Sequence, residues 1–181
     1  MNKQELRKHV KALKSQFTAT QLIDKSTAVI KNLESLVQFR RAKIIMAYWS
    51  MSDEVHTHEF VERWHKTKTI LLPVIDGDNL LIKNFTGVEN MVPDKRFGIP
   101  EPSGKPFTEL DTIDLIVVPG VAFDRNKNRL GRGKAFYDRL LKSSTAPKAG
   151  ICFDFQLFDT VPIDKYDIGM DIIISESEIV N

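Results

Sequence analysis

The chain of 181 residues has a single cysteine, Cys152, and so cannot close a disulfide within itself. A reducing compartment, the cytoplasm, is the expected location. Long apolar runs are missing as well. None approaches the roughly 20 residues that span a bilayer, and the opening segment, MNKQELRKHVKALKSQ, reads as a charged amphipathic helix rather than a secretory leader. Neither sign of charge dominates. A net charge of +2 argues against nucleic acid or a membrane surface as the main partner and directs attention to local clusters. Repeats and low-complexity tracts are lacking too. What is present is an ordinary soluble composition, 42% hydrophobic and 28% charged. One domain over residues 1–181 is expected, large enough to bury roughly 70% of its unfolded surface.

Hydrophobic periodicity predicts helices and strands in alternation. Residues 2–15 place Leu6, Val10 and Leu13 on one helical face. Thr18-Ala19-Thr20-Gln21 fits a capping box, opening a second helix to about Phe39 on the stripe Leu22, Ile23, Val29, Ile30, Leu33 and Val37. Ile44–Trp49 reads as a strand and Ser50–Glu54 as a polar turn, with a helix following to about His65. Thr69–Ile75 and Leu80–Phe85 read as strands joined by Asp76-Gly77-Asp78-Asn79, a hairpin signal. Residues 86–110 hold four of the eight prolines and three glycines, and read as a long ordered loop. Strands at Ile113–Val118, Ala149–Phe153 and Asp171–Ile174, with a helix at about 134–143, complete the pattern. The fold class expected is α/β, a three-layer domain with a largely parallel central sheet flanked by helices. Such sheets bind ligands beyond the carboxyl ends of their strands. The turn after Trp49 and the loop after Val118 both fall there.

The densest chemistry lies in LIVVPGVAFDRNKNRLGRGKAFYDRLL, Leu115 to Leu141. A buried strand stops at Pro119-Gly120, and the ten residues from Arg125 to Lys134 carry five cations, two close glycines and no acid. Glycines let backbone N–H groups approach an anion, and a helix start adds partial positive charge. Asp124 and Asp138 bracket the loop, which suits a metal–nucleotide better than a bare anion. Two common fingerprints are excluded: Asn128 and Ala135 stand where a Walker loop needs Gly and Ser or Thr, and Phe136 stands where a dinucleotide loop needs its third glycine. A solvated basic connection remains the plain alternative.

Elsewhere the residues are less specific. Lys3 and Arg7, four apart, share a helical face. His56 and His58 have no evident third ligand for zinc. Cys152, in an apolar strand, reads as core rather than nucleophile. Asp164, Asp167 and Asp171 are either solubility charges, or one of them joins Asp138 around a hard cation, since magnesium takes one or two carboxylates plus phosphate oxygens and waters. Neither a Ser/His/Asp nor a Cys/His arrangement is recognisable.

Asn128-Arg129-Leu130-Gly131-Arg132-Gly133-Lys134-Ala135-Phe136-Tyr137-Asp138, preceded by Pro119-Gly120-Val121-Ala122-Phe123-Asp124, closely resembles the signature of the 5-formyltetrahydrofolate cyclo-ligase (methenyltetrahydrofolate synthetase) family. Four distant segments match in the right order: Lys3 with Arg7, Tyr48–Val55 followed by Thr57, Phe97–Pro102, and Asp167 with Asp171. The resemblance implies an ATP-dependent enzyme that uses magnesium to turn 5-formyltetrahydrofolate into 5,10-methenyltetrahydrofolate, ADP and phosphate. It implies ATP contacts at Lys3, Arg7, Arg129, Leu130, Gly131, Arg132, Gly133, Lys134, Ala135, Phe136 and Tyr137, with Arg132 and Lys134 catalytic. Folate contacts are implied at Arg7, Trp49, Met51, Glu54, Phe97, Arg132, Phe136 and Tyr137, and magnesium at Asp138 and Asp167. The family usually has glycine where this chain has Ala135, and often tyrosine where it has Phe136.

The chemistry accounts for the absence of a nucleophile. A formamide oxygen leaves only once phosphorylated, after which nitrogen 10 closes the ring, and phosphoryl transfer is mostly positioning and electrostatics. The expected partners are 5-formyltetrahydrofolate, with or without a polyglutamate tail, and ATP; the expected state is a monomer or weak dimer. Two other functions fit the fold: a sugar-phosphate isomerase-like enzyme, and a nucleotide- or folate-binding regulator without turnover.

Overall fold

The computed structural model describes residues 1–94 and 98–181. Helix α1 (Lys3–Lys14) begins at Asn2, whose side chain accepts from Gln4 N and Glu5 N while Glu5 reaches back to the Asn2 N–H. Helix α2 (Ala19–Ser35) opens on the expected capping box of Thr18 and Gln21. The helix expected to continue to Phe39 ends earlier. Leu36 is extended, with φ −65° and ψ 139°, and the chain re-forms as α3 (Val37–Arg41). Partly buried Leu36 packs on the core at that break.

The chain then runs through β1 (Ile44–Met46), α4 (His58–Trp64), β2 (Thr69–Asp76) and β3 (Asn79–Asn84). The β2–β3 hairpin turns at Gly77, with φ +59°, in the position the Asp-Gly signal gives it. The proline-rich stretch expected to be a loop carries a short antiparallel pair, β4 (Met91–Pro93) with β5 (Pro100–Pro102). There follow β6 (Leu115–Pro119), β7 (Ala122–Asp124), β8 (Arg129–Leu130), α5 (Phe136–Lys142), β9 (Lys148–Ile151), β10 (Leu157–Phe158), β11 (Ile172–Ile174) and β12 (Ile179–Val180).

Seven strands form the central sheet in the order β12-β11-β9-β6-β1-β2-β3. The five inner strands are parallel and the two edges antiparallel. Alternate residues serve opposite faces. Ile45, Ile70, Leu72, Leu115, Val117, Ala149 and Ile151 meet α2, α3 and α4 through Val29, Leu33, Phe39 and Phe60. Met46, Leu71, Ile116, Val118 and Ile173 meet Leu141 of α5 and Phe123 of β7. This second layer is thinner than expected, with one helix of seven residues. A small sheet, β10-β7-β8, extends beyond it. Helix α1 docks on that sheet, burying Leu6 and Val10 against Ala122 and Leu130.

Candidate active site

In chain order the parallel strands add outward from β1, first to β2 on one side, then to β6, β9 and β11 on the other. The winding reverses between β1 and β6, the place where such sheets bind ligands. A cleft of about 370 Å3 lies there. One wall comes from the segment after β1 with Tyr48, Trp49, Met51 and Glu54, backed by Leu72, Pro73, Ile75 and Leu80 of the β2–β3 hairpin. Ile99, Pro100 and Glu101 add a rim, and Pro119, Gly120, Arg129, Gly131, Arg132 and residues 134–138 form the opposite lip.

The segment after β1 holds its shape through its own polar groups. Thr57 is fully buried; its hydroxyl donates to Tyr48 O at 2.5 Å and accepts from Ser50 N at 3.2 Å, while Thr57 N donates to Ser50 Oγ at 3.1 Å. The Tyr48 hydroxyl donates to Val55 O. Burial, with the charge of Glu54, pushes that hydroxyl well above its ordinary pKa, so it stays a neutral donor. Trp49 stacks with His58, centroids 4.0 Å apart and planes 11° apart, and with Phe85 at 5.7 Å. His58 Nε2 lies 2.9 Å from Ser50 O, an arrangement that assigns the proton to that nitrogen. Burial, helped by the charge of His56 and opposed by the Ser50 carbonyl and Glu62, lowers its pKa. The Glu54 side chain is 14% exposed. Its Oε2 accepts from Met51 N at 2.9 Å, which turns Oε1 toward the opposite lip.

That lip is the cationic loop. Gly133 has φ +99°, a conformation closed to most side chains, and its α-carbon faces Arg7, whose Nε donates to Gly131 O at 2.9 Å. Ala135, at φ 53° and ψ 19°, is left-handed and immediately precedes α5. Arg129 is buried: its Nη2 lies 2.8 Å from Asp138 Oδ1, and its guanidinium sits 5.7 Å from the Tyr137 ring centre. Arg129 Nε is the one buried side-chain polar atom among the described residues without a hydrogen-bond partner. Burial, and next the charge of Glu54, push the Tyr137 hydroxyl far up. Arg132 turns across the cleft to the facing wall, 2.5 Å from Asp53 Oδ1 and 3.1 Å from Glu54 Oε1.

Helix α1 lies behind the loop. Lys3, Arg7 and Lys14 fall within one narrow stripe of it, beside the buried Leu6–Val10 stripe. Lys3 pairs with Asp164 and Asp167, Arg7 holds Gly131, and Lys14 holds Asp53. Burial works to raise the Asp167 carboxyl, but the Lys3 bond and the Asp164 N–H outweigh it and keep it below the usual carboxylate range. Asp138 Oδ1 also accepts from Ile168 N, so Asp138 and Asp167 belong to touching segments. Their contacts engage one oxygen of each carboxylate. Among the described residues there is no group of three or more His, Cys, Asp or Glu placed to hold a metal. Two hard carboxylates completed by phosphate oxygens and water do suit magnesium.

Of the residues expected from sequence, Trp49, Met51, Glu54, Arg129, Gly131, Arg132, Lys134, Ala135, Phe136, Tyr137 and Asp138 line the cleft. Lys3, Arg7, Gly133 and Asp167 stand behind the loop, and Leu130 is buried against α1. Phe97 lies outside the described residues. Asp124 is not available to a metal–nucleotide: it is buried, and its oxygens accept from Asn126 N, Asn128 N, Asn128 Nδ2 and Val161 N. It caps the β7–β8 turn instead. Cys152 is buried in the core, and burial raises its thiol pKa. Sequence reasoning gave no role to Asp53, Glu101 or Lys14. Asp53 and Glu101 lie within matched segments, and Lys14 lies on the same helical stripe as Lys3 and Arg7.

The strand order, the apolar cleft at the winding reversal and the facing cationic loop define a doubly wound α/β protein with two chemically distinct lips to one ligand site. The chain belongs to the 5-formyltetrahydrofolate cyclo-ligase family, whose members are ATP-dependent ligases: the family model matches residues 1–176. It is 29% identical to the 5-formyltetrahydrofolate cyclo-ligase of Haemophilus influenzae over 95% of this chain and 97% of that one. It is 30% identical to the probable enzyme of Schizosaccharomyces pombe over 90% and 89%. Among solved structures, the 5,10-methenyltetrahydrofolate synthetase of Aquifex aeolicus superposes with a TM-score of 0.88 at 34% identity, covering 99% of this chain and 92% of that one. The synthetase of Mycoplasma pneumoniae, at 24% identity and a TM-score of 0.78, shares the fold.

Proposed function

We propose that the protein converts 5-formyltetrahydrofolate and ATP to 5,10-methenyltetrahydrofolate, ADP and phosphate. One observation carries this reading. A single cleft has an aromatic wall with a carboxylate, Trp49 and Glu54, on one lip and a cationic glycine loop, Arg129 to Tyr137, on the other. Glu54 can accept from ring N–H donors of the pterin, and Trp49, already fixed by His58, can pack on its flat face. The facing loop brings Arg129, Arg132 and Lys134 toward the phosphates, with Lys3 and Arg7 adding positive potential from behind. In line between the lips, the formyl oxygen attacks the γ-phosphorus and ADP leaves. Nitrogen 10 then adds to the activated carbon, the formyl oxygen departs with the phosphate, and the nitrogen 10 proton is released to that phosphate, leaving the methenyl cation. Arg132 and Lys134 balance the charge that spreads over the transferring group. Asp138 and Asp167 would hold a magnesium ion, which neutralises phosphate charge when bound.

We place the enzyme in the cytoplasm, as a monomer or weak dimer, acting on folates with or without a polyglutamate tail. The lone buried cysteine suits a reducing compartment, and no helix among the described residues is long and apolar enough to cross a membrane. The test is incubation with 5-formyltetrahydrofolate, ATP and magnesium, following methenyltetrahydrofolate absorbance and ADP. Arg132→Ala should lower turnover by roughly a hundredfold, the scale of losing one transition-state donor. Tight binding of both ligands without product would favour the regulator.

A further inference from the structure

On the reading above Arg132 faces the transferring phosphate, yet its guanidinium spans Asp53 and Glu54 on the opposite lip, with Nε 3.3 Å from the same Glu54 oxygen that Nη2 approaches. Glu54 is the carboxylate assigned to the pterin, so Arg132 covers an oxygen that the folate needs. Asp53 belongs to neither ligand's assignment. It is anchored from behind by Lys14, which donates to both its main-chain oxygen and its carboxylate. Burial works to raise the Asp53 carboxyl, but the bonds from Arg132 and Lys14 outweigh it and keep it ionised.

We propose that Asp53 is a positioning residue that holds Arg132 across Glu54 in the ligand-free protein, so that folate and nucleotide binding are coupled through one guanidinium. The inference rests on the proposed function. A folate that takes Glu54 leaves Arg132 with one carboxylate partner instead of two, and the side chain then turns more readily to the phosphates. A nucleotide that draws Arg132 away uncovers Glu54. Each ligand therefore favours the other, and by linkage by the same factor. The Arg132–Asp53 pair is about half-exposed, 45% and 43%, and is screened by water, so the coupling should be modest, on the order of fivefold.

Calorimetric titration of the full chain with a non-hydrolysable ATP analogue and magnesium, with and without 5-formyltetrahydrofolate, tests this. The unaltered protein should bind the analogue about fivefold more tightly when folate is present. In Asp53→Asn, and equally in Asp53→Ser, nucleotide affinity without folate should rise toward that value, and the coupling should fall below about twofold. Loss of a merely structural contact would weaken binding instead. Absence of coupling in the unaltered protein, or nucleotide binding that is unchanged or weaker in the variants, overturns the inference and leaves the site assignment standing. Failure of the unaltered protein to bind the nucleotide overturns both.

Discussion

Arg129 and Asp138 form an ion pair inside the cleft wall, Nη2 to Oδ1 at 2.8 Å, with side chains 4% and 16% exposed. The pair joins β8 to α5, and through the bond from Ile168 N it also joins the segment that carries Asp167. Removing one partner leaves the other charge without compensation in a nearly dry place. Arg129→Ala should therefore destabilise the fold by about 3–5 kcal/mol in urea unfolding. The double replacement Arg129→Met with Asp138→Leu should recover much of that loss while abolishing turnover. A loss below about 1 kcal/mol in the single variant would show the pair to be solvated.

Ala135 should yield stability when replaced by glycine. A left-handed alanine costs roughly 1–2 kcal/mol, and part of the relief is returned as extra freedom of glycine in the unfolded chain. A net gain of about 0.5–1 kcal/mol is expected for Ala135→Gly, with Ala135→Val going the other way. Thermal unfolding should move upward by about 1–4 °C for the glycine variant. An unchanged or lower midpoint would mean that the left-handed turn is not held in solution.

Phe123 fills the space between two glycines. A side-chain carbon on Gly150 would stand 2.5 Å from the ring, and one on Gly120 would meet it at the same distance. Gly150→Ala should cost about 1–3 kcal/mol by overpacking. Adding Phe123→Leu, which shortens the obstructing ring, should return part of that cost. Additive losses in the double-mutant cycle would show that the ring is not the obstacle.

His58 should make the protein less stable in mild acid. Its folded pKa lies below the ordinary value of 6.5, chiefly because burial disfavours the imidazolium. The unfolded chain then takes up the proton first, so stability is intact above 6.5 and falls as pH drops from there through the folded pKa. Urea midpoints should decline across that window in the native chain and decline less in His58→Gln. Trp49 stacks on the ring, so fluorescence of a Trp64→Phe variant should titrate with a midpoint below 6.5. A midpoint at or above 6.5 would contradict the sign.

Much of this architecture was legible from local signals, because a capping box, a 3.6-residue stripe or an Asp-Gly turn is written in consecutive residues. Thr18 with Gln21, the α1 face and the β2–β3 hairpin appear where those signals put them. Strands of two or three residues show no such periodicity, and β1 and β11 were legible only as short apolar runs. Hence the small sheet of β7, β8 and β10, the β4–β5 pair and the edge strand β12 emerged only with the folded chain. Helix α2 ends before Leu36, and two residues of its expected inner stripe, Ile23 and Val37, are exposed; at Val37 the break turns the last part of that stripe away from the core.

The sequence by itself determined the alternation of strands and helices, the glycine-cation loop after β6 and the family to which those residues are similar. All of these are properties of residue type and spacing. The tertiary structure alone decided which charge meets which. Asp138 was claimed by Arg129, and Arg132 by Asp53 and Glu54 from some eighty positions away. Electrostatic partners are set by distances of a few ångströms in space, and the spacing of charges along a chain carries no record of those distances until the sheet brings its two lips together.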